Sequence, residues 1–167
     1  MPLAHDLRPK TLNDFVGQKH LIAKESWIYQ AIKNDRISSI ILFGPPGSGK
    51  TTLAHVIANA TKSRFVQINA VLGTIKGLKV ELERAKEEKG DGKTIIFIDE
   101  IHRSNKAQQD VLLPYVERGD IVLIGATTEN PSFTVISPII SRSKVLQFER
   151  LTDEDLGKIL DRALKQD

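Results

Sequence analysis

The chain contains no cysteine, which excludes disulfides, zinc ribbons and thiol catalysis. Aromatic residues make up only 5% of it, so no aromatic-rich basic stripe is available on which single-stranded nucleic acid could stack. No apolar run approaches the roughly 20 residues of a membrane-spanning helix. No apolar leader core precedes the charged Asp6 and Arg8, as a signal peptide would require. One-sided charge is also missing: 24 basic against 21 acidic side chains leave +3, too mild to argue for a polyanionic partner. The histidines, His5, His20, His55 and His102, show no metal-ligand spacing and read as ordinary polar residues. These absences lead us to expect a reducing, cytoplasmic setting and no membrane.

What is present starts with Ile40 to Thr52 (Ile-Ile-Leu-Phe-Gly-Pro-Pro-Gly-Ser-Gly-Lys-Thr-Thr). An apolar strand runs into a glycine-rich turn, and a lysine and a threonine open the next helix, which is the G-x-x-x-x-G-K-[ST] pattern with its required flanks. Glycine at positions 44, 47 and 49 lets the turn wrap with its N–H groups inward. Those donors and the positive end of the following helix suit a polyphosphate. Gly44, Pro45, Pro46, Gly47, Ser48, Gly49, Lys50, Thr51 and Thr52 are therefore the expected nucleotide-binding loop. Lys50 is placed to reach the β- and γ-phosphates, and the Thr51 hydroxyl to ligate Mg²⁺.

Around this loop, strands alternate with helices. Strands are expected at Ile40–Phe43, Arg64–Ile68, Thr94–Ile98, Ile121–Ala126 and Lys144–Phe148. Helices are expected from Leu21 to about Asn34, Lys50 to about Ala60, Thr74 to Lys89 and Ala107 to Val116, the last kinked or ended by Pro114. A short element lies near Pro138–Ser141. At 167 residues the chain suits one domain, or a domain and a piece of the next. The expected fold is an open α/β sheet of five mostly parallel strands with helices on both faces and its ligand at their carboxyl ends. Residues 1–150 form this core. From Thr152 a capping box (Thr152, Asp155) and an apolar stripe (Leu156, Ile159, Leu160, Ala163, Leu164) open a helix that must bury against something. We assign 151–167 to the start of a further helical domain.

Three further signals carry chemistry. Asp99-Glu100 follows the buried run Ile95–Ile98, placing a carboxylate beside the loop for Mg²⁺ and a glutamate to polarise an attacking water. Gly125-Ala126-Thr127-Thr128 ends the next buried strand, where a hydroxyl can hold that water or the γ-phosphate; a strand-end threonine making a turn is the alternative. Ser141-Arg142-Ser143 offers an arginine to a neighbouring subunit's γ-phosphate, or a solvated surface side chain.

Taken in order, Leu7-Arg8-Pro9, Phe15-Val16-Gly17-Gln18, Gly44 to Thr52, Asp99 to Arg103, Gly125 to Pro131 and Ser141-Arg142 resemble the clamp-loader branch of AAA+ ATPases. Asn105 to Asp110, with Leu113-Pro114 and Ala126 to Phe133, resembles one group in it. That group is the replication-associated recombination protein family, similar to the eukaryotic Werner-helicase-interacting ATPase. The resemblance runs from Leu3 to Leu160. It implies an oligomeric P-loop NTPase using ATP and Mg²⁺, with Gly44 to Thr52 as Walker A and Asp99 and Glu100 as Walker B. It further implies Thr128 as sensor 1 and Arg142 as a finger acting on the next subunit. Leu7 to Pro9, Phe15, Val16 and Gly17 would lie near the adenine. It also implies action on DNA at stalled forks, single strands or duplex ends, near the single-strand-binding protein. Ser104 and Ser143 stand where the family often has Phe and Cys, mild changes that leave the charged positions intact. The lid is expected to stop after its first helix, without the sensor 2 arginine. Holliday-junction branch-migration motors share Leu-Arg-Pro, Asp-Glu-Ile-His and Ala-Thr-Thr, but Asn105 to Asp110 and Glu129 to Phe133 argue against them. Helicases of superfamily 2 share only Asp99 to His102. An inactive clamp-loader arm would typically lack Lys50 or the Walker B acid.

Overall fold

A computed structural model of the chain describes residues 8–69, 74–88 and 92–165. Among them, strands β1 (Ser39–Phe43), β2 (Arg64–Asn69), β3 (Thr94–Asp99), β4 (Val122–Thr127) and β5 (Ser143–Gln147) form one sheet in the order β2-β3-β4-β1-β5. Every pairing is parallel. The helices are α1 (Lys19–Ile22), α2 (Trp27–Lys33), α3 (Lys50–Ala60), α4 (Ile75–Glu87), α5 (Lys106–Arg118), α6 (Pro131–Thr134), α7 (Ser137–Ser141) and α8 (Asp153–Lys165).

The apolar runs explain the layering. Successive side chains of a strand point to opposite faces, so a strand buried on both faces reads as unbroken hydrophobics. In β3, Ile95 and Phe97 join one core with α3 (Leu53, Val56, Ile57). Ile96 and Ile98 join the other, with Leu78 and Leu82 of α4 and Leu112 of α5. β1 divides the same way, Ile40 and Leu42 against Ile41. The edge strands β2 and β5 are only partly buried.

Several boundaries differ from the sequence reading. The helix expected over Leu21–Asn34 is two helices, because Ala23 turns extended and the Ser26 hydroxyl caps α2 by accepting the Tyr29 N–H at 3.2 Å. Trp27 packs against the core, with the Lys144 ammonium over its ring. Pro114 does not end α5, which continues to Arg118. Both Pro114 and Asp110 are exposed, so the Asp110 carbonyl that loses its helical donor can be solvated by water. Ile75, the first residue of α4, is 40% exposed, whereas Leu78, Leu82 and Ala85 of the same helix are buried. The expected end of α4 at Lys89 lies outside the described residues.

The α8 capping box forms: the Thr152 hydroxyl accepts the Asp155 N–H and the Asp155 carboxylate accepts the Thr152 N–H, both at 3.1 Å. Its apolar stripe divides. Ile159 faces the carboxyl ends of the strands, whereas Leu160 and Leu164 remain 63% and 73% exposed.

Candidate nucleotide site

A cleft of about 600 Å³ opens at the carboxyl ends of β1, β3 and β4. The loop from β1 to α3 forms its floor, through Pro46 to Thr52. Gly49 stands at the N-cap of α3 with φ +101°, a backbone closed to most side chains. Gly44 lies behind the floor, where a Cβ would meet the Phe148 carbonyl oxygen at 2.6 Å. It does not line the cleft, and neither does Pro45. Both instead supply carbonyls that hold the lysine: Lys50 Nζ donates to Gly44 O at 2.8 Å and Pro45 O at 2.7 Å. Burial pushes the Lys50 ammonium below its ordinary pKa, and the Asp99 carboxylate opposes that shift. An ammonium has three donors, so these two bonds leave one proton for a ligand.

Asp99 and Glu100 line the cleft opposite the loop. The Asp99 carboxylate accepts the Glu100 N–H at 2.9 Å. Glu100 adopts the left-handed conformation at φ 51°, at a cost of about 1–2 kcal/mol. This reversal carries the chain from β3 into a 3₁₀ turn, Ile101–Arg103, whose Ile101 is fully buried. It leaves the Glu100 side chain exposed at the cleft, with Oε2 at 3.6 Å from Arg103 Nε.

The two threonines ending β4 separate cleanly. Thr127 is 1% exposed; its hydroxyl accepts the Glu129 N–H at 3.0 Å and contacts His102 Nδ1 at 2.9 Å. It forms the turn. Thr128 lines the cleft beside Asp99 and Glu100.

Arg8, Pro9 and Val16 line the remaining wall; Leu7 lies outside the described residues. Phe15 also lines it, its ring 3.0 Å from where a Gly49 Cβ would stand. Gly17 is set back, packed against Leu151. Leu151, Ile159 and Arg162 close the cleft from the α8 side, and the sequence reading missed Leu151 and Arg162 as site residues. A signal existed for Arg162: it follows Ile159 by three residues, so the two share a helix face.

Arg142 is elsewhere. β1 and β5 run in register from Ser39↔Ser143 to Phe43↔Gln147. Arg142 therefore stands at the amino edge of the sheet and the phosphate loop at the carboxyl edge, about 13 Å or more apart at a strand's rise per residue. Its guanidinium is held by Glu117 at 3.3 Å and the Pro138 carbonyl at 2.9 Å.

Comparison with known proteins agrees with the fold. Residues 7–137 match the family model described as the Holliday junction DNA helicase RuvB P-loop domain. The replication-associated recombination protein A of Coxiella burnetii is 49% identical over 98% of the chain and 37% of its own length. ATPase WRNIP1 of Dictyostelium discoideum is 45% identical over 98% of the chain and 19% of its own length. The solved Holliday junction branch migration motor RuvB of Thermotoga maritima superposes with a TM-score of 0.78 at 33% identity, over 96% of this chain and 54% of that one. The chain thus spans about a third of the length of its bacterial recombination-protein relatives, as in the 37% of the Coxiella protein. On the fold, the site and these likenesses, the chain belongs to the RuvB-type P-loop domain family of AAA+ ATPases, and its sequence sides with replication-associated recombination protein A and WRNIP1.

Proposed function

We propose that this domain hydrolyses ATP at an interface between copies of itself, and that the hydrolysis serves DNA at replication forks. The observation that carries the interface is the separation of Arg142 from its own phosphate loop by the length of a parallel strand pair. A cation at the amino edge can reach a γ-phosphate only on a neighbouring copy. Its present partner, Glu117, is an exposed ion pair, of a kind worth about 0–1 kcal/mol, so a phosphate can displace it. An arginine finger of this type contributes about 10³–10⁵ in rate.

Within one subunit the division of labour follows the geometry. The backbone N–H groups of Gly47 to Thr51 cradle the phosphates, and Lys50 gives its third proton to them. Glu100 orients and polarises the attacking water, and the Thr128 hydroxyl holds that water or the γ-phosphate. Thr51 and Asp99 fit a Mg²⁺ site: a hydroxyl and a carboxylate from two elements line one cleft. Among the described residues there is no group of three or more His, Cys, Asp or Glu able to hold a metal unaided. Mg²⁺ is characteristically held by one or two carboxylates together with substrate phosphates. Thr51 and Asp99 would hold such an ion, which would supply positive charge against the negative charge developing on the transferred phosphoryl group.

The fork assignment rests on the likeness to replication-associated recombination protein A and WRNIP1, as do a cytoplasmic location and a partnership with single-strand-binding protein. Among the described residues no helix is long and apolar enough to cross a membrane. The second reading, a Holliday-junction motor, draws on the RuvB family match. ATP turnover per subunit of the full-length protein, measured across a concentration series with forked, single-stranded or four-way DNA, tests both. Turnover that rises with concentration and rises further with forks supports the proposal. Stimulation by four-way junctions alone supports the second reading, and turnover indifferent to DNA and concentration contradicts both.

A further inference from the structure

Gln18 is 6% exposed and sits at φ 52°, outside the cleft yet in contact with the phosphate loop and with the segment that leads to α8. Its Nε2 donates to Ser48 O of the phosphate loop at 3.2 Å and to Glu149 O at 2.6 Å. Its Oε1 accepts the Glu149 N–H at 2.8 Å. One amide therefore holds the loop and both backbone groups of Glu149, which lies between the end of β5 and the start of α8.

The loop contact bears on ligand binding through one peptide plane. Ser48 O and Gly49 N–H belong to the same peptide, and a trans peptide points them in opposite directions. With the carbonyl on Gln18, the Gly49 N–H is turned away from Gln18, and Gly49 lines the cleft. A phosphate accepting that N–H polarises the peptide and makes Ser48 O a stronger acceptor for Gln18. The other half of the same amide grips Glu149, so any gain is felt at the base of α8, whose Ile159 and Arg162 close the cleft. Neighbouring residues reinforce the seam: His20 Nε2 meets Gln147 O at 3.0 Å, and Gly17 lies against Leu151.

We infer that Gln18 is a positioning residue that couples phosphate binding at the Ser48–Gly49 peptide to the position of α8 through Glu149. This rests on the nucleotide-binding reading of the cleft. Coupling of this kind is reciprocal, so loss of the link weakens nucleotide binding as well as freeing α8.

The test follows Glu149 amide exchange in the full-length protein, with and without saturating ADP, alongside ADP affinity by titration. In the wild type, ADP slows exchange at Glu149. Gln18→Glu keeps the size and the acceptor for the Glu149 N–H but loses both donors. It is expected to keep basal protection of Glu149, lose the response to ADP, and bind ADP about tenfold more weakly, the worth of roughly one hydrogen bond. Gln18→Ala is expected to lose basal protection too. An unaltered ADP response in Gln18→Glu would overturn the inference. So would wild-type protein that binds ADP without slowing Glu149 exchange, a result that needs no variant to fold. Wild-type protein that binds no ADP would instead overturn the nucleotide-binding reading beneath it.

Discussion

In the proposed mechanism Lys50 and Glu100 have separable tasks, and their variants should fail differently. Lys50→Ala removes the ammonium that the Gly44 and Pro45 carbonyls aim, and ATP binding should fall below detection by equilibrium titration. Glu100→Gln keeps the shape and left-handed turn but not the base. It should retain ATP while turnover drops by about 10²–10⁴; unchanged turnover would remove Glu100 from that role. Gly44→Ala is a third case. The added methyl would stand 2.6 Å from the Phe148 carbonyl oxygen, a backbone atom that cannot swing aside. Thermal unfolding should show a loss of about 1–3 kcal/mol, the usual penalty of overpacking. At this scale the sequence was informative wherever chemistry fixes residue type: the phosphate loop and the Asp99-Glu100 pair, chosen from sequence alone, line one cleft. The residues themselves left Thr127 and Thr128 undivided, and only the family resemblance singled out Thr128, because which hydroxyl turns inward depends on the register of β4 and on His102, 25 residues away. Gln18 shows the same limit, since its partners are 30 and 131 residues distant.

Helices α4 and α5 are joined by a buried phenol. The Tyr115 hydroxyl donates to Glu83, and burial together with that carboxylate pushes its pKa up to about 12 from 10.0. The neutral phenol is thus favoured by folding. Its contribution is complete below pH 10, where neither state ionises. Above pH 10 the unfolded chain ionises first and stability falls until the folded phenol titrates near 12. Urea unfolding at pH 9 and 11 should differ by about 1 kcal/mol. Tyr115→Phe should cost about 1 kcal/mol at pH 9 and abolish that difference; an unchanged difference would assign it to another group. Element positions were well read where period and caps agree, as in α3, whose limits match. They were misread where a local bond overrides period. Ser26 caps a new helix inside a continuous pattern, and α5 runs on through the exposed Pro114 to Arg118, where the sequence alone suggests a kink or an end.

Across the whole molecule, the parallel sheet sets two chemistries at opposite edges: phosphate loop, Asp99, Glu100 and Thr128 at the carboxyl ends, Arg142 at the amino end. Alternation of apolar strands and helices made that sheet legible, because parallel strands must be buried on both faces. Strand order was not legible, since β1 lies between β4 and β5 through contacts far apart in sequence. The placement of Arg142 follows from that order. It implies that a working site draws on two subunits, which mixing two inactive proteins tests directly. On the proposed roles, Lys50→Ala should fail to bind ATP while still carrying Arg142, and Arg142→Ala should bind ATP while lacking the finger. Assayed apart, each should show little ATP turnover. Mixed in equal amounts, they should regain a substantial part of wild-type turnover, as Arg142 of one meets the nucleotide of the other. Turnover in Arg142→Ala equal to wild type, or two dead variants that stay dead when mixed although they co-assemble, would contradict the shared site.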